Sequence, residues 1–78
     1  MESPKIVVYS QPGCAPCNAA KDYLTRKGVP FEVKDVSADP AAARELTETW
    51  KSYSTPTLVI DGKVIVGFRQ DKIEELLS

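Results

Sequence analysis

Ser10-Gln11-Pro12-Gly13-Cys14-Ala15-Pro16-Cys17 is the stretch on which the reading of this chain turns. Upstream of it, residues 5–9 are consecutive β-branched and apolar side chains after a lysine, the pattern of a strand buried on both faces. Residues 10–13 are turn formers at every position and break that strand. From Cys14 onward, Cys17, Ala20 and Leu24 recur at helical spacing as far as Lys27, with Gly28 as a stop and Pro30 just beyond it. Pro16 is compatible with this helix because the first turn has no intrahelical use for the N–H it lacks. Residues 10–14 therefore join the carboxyl end of a strand to the start of a helix. Open α/β sheets usually hold their ligand sites at such a junction.

Residues 31–36 alternate with period two, which predicts a strand with one wet face. Ser37 or Asp39 can cap a second helix running through the alanines 41–43 towards Trp50. Residues 52–55 are polar and loop-like. Two apolar runs, Thr57–Ile60 and Lys63–Val66, flank Asp61-Gly62, the signature of a hairpin with a type I′ turn. Ile73, Leu76 and Leu77 share one face of a last helix over residues 70–77. The order is β-α-β-α-β-β-α, of the α/β class. A right-handed β-α-β crossover and a closing hairpin predict a mixed four-stranded sheet flanked by three helices on both faces. Residues 1–78 make one domain.

A chain of 78 residues has a small core and would gain from a staple, yet its two cysteines stand only three positions apart. Closing so short a loop removes little entropy from the unfolded chain, so chemistry is the better reason for the pair. The formal net charge is −1 with the charges scattered, unlike the one-sided basic footprint of a nucleic-acid binder. No leading segment resembles an export signal or a membrane span. The expected location is cytoplasmic, where cysteine pairs tend to be catalytic or metal-binding. There is no histidine, which removes every Cys-His scheme and the commonest metal ligand. One chain has too few cysteines for a zinc site, so a metal or iron–sulfur centre would need two chains to share four thiolates.

Three-residue spacing on a helix puts both sulfurs on one face, within bonding reach. Free N–H groups and the positive end of the helix dipole favour a thiolate at Cys14, the expected nucleophile. Cys17, farther inside, is the expected resolving thiol, and Pro16 stiffens the turn between them. At Thr55-Pro56 a proline entering an internal strand suits a first strand residue or a cis bend, and by sequence alone the trans form is favoured. Tyr9 either packs beside Cys14 or fills the core. Phe68 is either core or a docking surface beside Cys14, and Arg69 either anchors a partner's carboxylate or is solvated.

With Cys-x-Pro-Cys opening the first helix, Thr55-Pro56 before the hairpin and Gly67-Phe68-Arg69 ahead of the last helix, the chain resembles the thioredoxin superfamily. More narrowly it resembles glutaredoxin-like proteins, and nearly the whole chain takes part. The resemblance implies a cis Pro56 whose loop lies against Cys14, and a Thr55 backbone that pairs with an extended substrate segment. It also implies thiol–disulfide exchange on protein disulfides by a monomer, with no tightly bound cofactor and no metal. The substrate-facing set on this reading is Tyr9, Gln11, Thr55, Pro56, Gly67, Phe68 and Arg69. Glutaredoxins commonly carry a basic residue where Gln11 stands, and an acidic pair where Arg69-Gln70 follows. A cation there is electrostatically wrong for the glutathione ammonium. Gly-Phe-Arg is instead the pattern of the NrdH redoxins, which take electrons from thioredoxin reductase and NADPH and pass them to ribonucleotide reductase. The rivals are a glutathione-dependent glutaredoxin working through Cys14 and a dimeric metal or iron–sulfur module.

Overall fold

In the computed structural model, which describes residues 5–77, two strands carry the core because both of their faces are covered. These are β1 (Ile6–Ser10) and β3 (Thr57–Ile60), buried at every position. They sit at the centre of a sheet of order β2-β1-β3-β4, with β2 (Glu32–Asp35) and β4 (Lys63–Val66) at the edges. β1 pairs with β2 in parallel through Val8↔Val33, and with β3 antiparallel through Val8↔Leu58. β3 pairs antiparallel with β4 through Leu58↔Ile65. The helices are α1 (Ala15–Lys27), α2 (Pro40–Arg44) and α3 (Gln70–Leu77). This is the mixed four-stranded, three-helix thioredoxin-like fold that the sequence led us to expect.

The two faces of the sheet differ. Ile6, Val8, Leu58, Ile60 and Ile65 point to the face covered by α1 and α3, where they pack with Ala20, Leu24 and Ile73. The alternate residues Val7, Tyr9 and Val59 meet Ala42, Leu46 and Trp50 on the other face. Strand periodicity alone sorts these two sets.

Local chemistry closes the elements. Gly28 takes the left-handed conformation at φ +72° and donates its N–H to the carbonyls of Leu24 and Thr25, ending α1. Asp39, rather than Ser37, caps α2 through hydrogen bonds from the N–H groups of Ala41 and Ala42. Asp61 and Gly62 both have positive φ, +49° and +83°, as the type I′ turn requires.

Two expectations need correction. Residues 31–36 were expected to have one wet face, but the successive residues Glu32 and Val33 of β2, on opposite faces, are both exposed, so this edge strand is wet on both. The helix expected to continue to Trp50 is α-helical only to Arg44 and then widens into a π-helical turn, Glu45–Thr49. There Trp50 N–H reaches the carbonyl of Glu45, five residues back. Lys51 at φ +57° then turns the chain out of the helix.

Candidate active site

Cys14 is extended, at φ −96° and ψ 103°, and stands as the N-cap of α1 rather than inside it. Its sulfur therefore faces the helix's unpaired donors, and Cys17 donates its N–H to Cys14 Sγ at 3.2 Å. The first turn carries no acidic side chain that would oppose negative charge there. One turn on, Cys17 is fully buried, while Cys14 is only half-buried. The two are joined as a disulfide, with their Cα atoms 5.2 Å apart. Pro16 lies exposed in the turn between them.

The second wall is the segment entering β3. The Thr55-Pro56 bond is cis, as the resemblance implied. Thr55 Oγ1 lies 3.9 Å from Cys14 Sγ and donates towards it. Gly67, at φ +84°, donates its N–H to the Pro56 carbonyl at 2.7 Å, tying the end of β4 to the same bend. Beneath the segment is a buried relay of hydroxyls. Thr57 Oγ1 donates to the Ser54 carbonyl at 2.7 Å and lies 2.7 Å from Ser52 Oγ. A hydroxyl has one proton, so Ser52 is the donor to Thr57. Ser52 N–H in turn reaches the Leu46 carbonyl at 3.0 Å. Residues 52–57 are thus pinned at both ends.

A groove of about 470 Å³ opens beside this wall. Its apolar floor is Val36, Ala43 and Leu46, and Gln11, Thr47, Ser54 and Thr55 supply its polar rim. Tyr53 completes the lining and is 81% exposed. None of these eight residues carries a charge.

Of the residues expected to face substrate, the structure gathers Gln11, Thr55 and Pro56 near Cys14, and holds Gly67 against Pro56. Three others line different grooves. Tyr9 is buried, because odd positions of β1 point to the face under α2. Its hydroxyl donates to Glu45 and accepts from Trp50 Nε1 at 3.0 Å, and Lys34 Nζ meets the same Glu45 carboxylate at 2.7 Å. It is a core tether, 1% exposed. Phe68 is half-buried and packs edge-on against Tyr23 with ring centroids 5.7 Å apart, over a cleft between α1 and α3. Arg69 is exposed and lines a different groove, between β4 and α3, alongside Lys72 and Glu75.

The sequence reading passed over Tyr53 and the Ser52–Thr57 relay, treating residues 52–55 as a plain polar loop. A cluster of hydroxyls at 52, 54, 55 and 57 around one proline was the available signal. Among the described residues no group of three or more His, Cys, Asp or Glu side chains could hold a metal ion. No helix among them is long and apolar enough to cross a membrane.

A disulfide-paired Cys-x-x-Cys at the head of the first helix, facing a cis-proline bend on a mixed four-stranded sheet, defines a thioredoxin-fold thiol–disulfide oxidoreductase. The glutaredoxin family profile matches residues 6–65, and the chain belongs to that family. It is 38% identical over 74 residues to the Gene 56 protein of Mycobacterium phage L5, covering 94% of this chain and 72% of that one. The structure of the thioredoxin-like protein BC3987 superposes with a TM-score of 0.90 at 47% identity, covering 92% of this chain and 99% of that one. The glutaredoxin-like NrdH-redoxin of Escherichia coli superposes with a TM-score of 0.82 at 29% identity, covering 92% and 93%.

Proposed function

We propose that this protein is a dithiol electron donor that reduces disulfides in other proteins in the cytoplasm and is recharged by thioredoxin reductase. The observation that carries the reading is the asymmetry of the pair, with Cys14 capping the helix in reach of solvent and Cys17 fully buried behind it. In the reduced protein the Cys14 thiolate attacks one sulfur of the substrate disulfide. A mixed disulfide forms and the first substrate thiolate leaves. Cys17 then gives up its proton and attacks Cys14 Sγ, the second substrate thiolate leaves, and the protein ends with the Cys14–Cys17 bond. Two electrons pass to the substrate, and a reductant must return them. Val8, six positions before Cys14, is a fully buried apolar residue and offers the Cys17 proton no acceptor, so water or the departing substrate thiolate takes it.

The groove supports thioredoxin reductase over glutathione as the electron source. Glutathione carries two carboxylates and an ammonium, and a binding site for it is expected to offer charges to match. The groove beside Cys14 offers none. The E. coli neighbour is described as a glutaredoxin-like protein with a thioredoxin-like activity profile, which supports the same reading. Substrates such as ribonucleotide reductase fit this role. The test is to give the oxidised protein NADPH with thioredoxin reductase and, separately, glutathione. Rapid reduction by the reductase is expected, and efficient turnover with glutathione alone would overturn the proposal.

A further inference from the structure

We propose that Tyr53 is the specificity contact of this protein, an aromatic platform that seats an uncharged, apolar side chain flanking the half-cystine of a protein substrate. The inference rests on the reading that protein disulfides are the substrates, and it adds which of them are preferred. Tyr53 is the most exposed of the large hydrophobic residues described, at 81%. A lone exposed side chain would need no explanation, but this one lines the groove that begins at Thr55 and Gln11 beside Cys14. Thr55 links the groove to the reacting pair, because its Oγ1 lies 3.9 Å from Cys14 Sγ.

Three features suit the platform to one kind of occupant. The floor beneath Tyr53 is aliphatic and includes Val36 and Leu46, and the rim is uncharged, so a charged side chain would lose water there without gaining a partner. The segment is held rigidly from below. The Ser52–Thr57–Ser54 hydroxyl relay anchors it, Lys51 at φ +57° fixes its entry, and the Gly67 N–H holds its far end at Pro56. An aromatic ring on a pre-ordered backbone loses little entropy when a partner docks. An extended segment running along residues 53–55 has the reach, because two strand residues span about 7 Å. A substrate cysteine placed at Cys14 therefore brings a neighbouring side chain over the Tyr53 ring.

The test uses two disulfide-linked peptides of equal charge, whose half-cystines are flanked on each side by two Leu in one and by two Gln in the other. Bis(2-hydroxyethyl) disulfide serves as a flank-free control. The wild-type protein should reduce the Leu peptide with a kcat/KM about ten-fold above that of the Gln peptide, the usual worth of one apolar contact. Tyr53→Ala should reduce that preference to less than about two-fold, and Tyr53→Phe should keep it. No preference in the wild type, or one that survives Tyr53→Ala, would overturn the proposal. Failure of all three disulfides to react would instead strike at the exchange chemistry on which it rests.

Discussion

At Cys14 the chain has not yet entered its helix, and that single fact separates the two thiols. An N-cap sulfur receives the N–H of Cys17 at 3.2 Å and the positive end of the dipole, both of which favour a thiolate. Cys17 is held within the first turn and buried, where charge is disfavoured until a mixed disulfide forms next to it. Single substitutions should divide along the same line. Cys14→Ser should abolish disulfide reduction altogether. Cys17→Ser should still attack and should accumulate mixed disulfides, visible as an added mass on non-reducing mass spectrometry. Adducts on Cys14→Ser instead would reverse the assigned roles. The spacing alone put the two sulfurs on one face, but the difference in burial required the helix to be seated on the sheet.

At the scale of elements, the segment from the π-helical turn to β3 does the positioning. Trp50 leaves the turn at its widened end, Lys51 reverses the chain, and residues 52–57 carry Thr55 to Cys14. The buried relay holds this arrangement, since Thr57 is both donor to Ser54 and acceptor from Ser52. Thr57→Val keeps the shape and removes the hydroxyl, stranding the buried Ser52 hydroxyl and the Ser54 carbonyl. We expect a loss of about 1–3 kcal/mol in urea denaturation. A loss below about 0.5 kcal/mol would mean the segment is held by something other than the relay. Little of this was legible in advance. Polar residues in a loop pattern signal exposure, and it takes the packing of Leu46 and β3 to bury Ser52 and Thr57 among them.

On the scale of the whole molecule, one polar network ties both outer layers of the second face together. Lys34 on β2 and Tyr9 on β1 both donate to Glu45, and Trp50 after the π-helical turn joins them by donating to the Tyr9 hydroxyl. The Lys34 ammonium, followed by the Tyr9 hydroxyl, holds the Glu45 carboxyl below the usual carboxylate range. A carboxylate depressed in the folded state adds stability above its unfolded pKa, and that stability is lost as the pH falls through the folded value. Glu45→Gln cannot titrate. Its melting temperature should therefore lie furthest below the wild type near neutral pH, with the gap closing as the pH drops to about 3 and below. A gap that stayed constant over that range would show that the network contributes only packing.

The sequence by itself determined the element order, the type I′ hairpin and the position of the cysteine pair at a strand-to-helix junction. Those features are written in local terms, as period two or period 3.6, an Asp-Gly turn and three-residue spacing. Only the tertiary structure decided which side chains share a surface. It turned Tyr9 to the face under α2 by strand parity, carried Arg69 to the β4–α3 groove, and brought Gln11 and Tyr53 into one groove with Thr55, which touches Cys14. Positions 11 and 14 lie on one segment of chain and 53 and 55 on another some forty residues away, and no local period relates the two. Their meeting depends on where the sheet order and the cis-proline bend place those segments, a property of long-range packing.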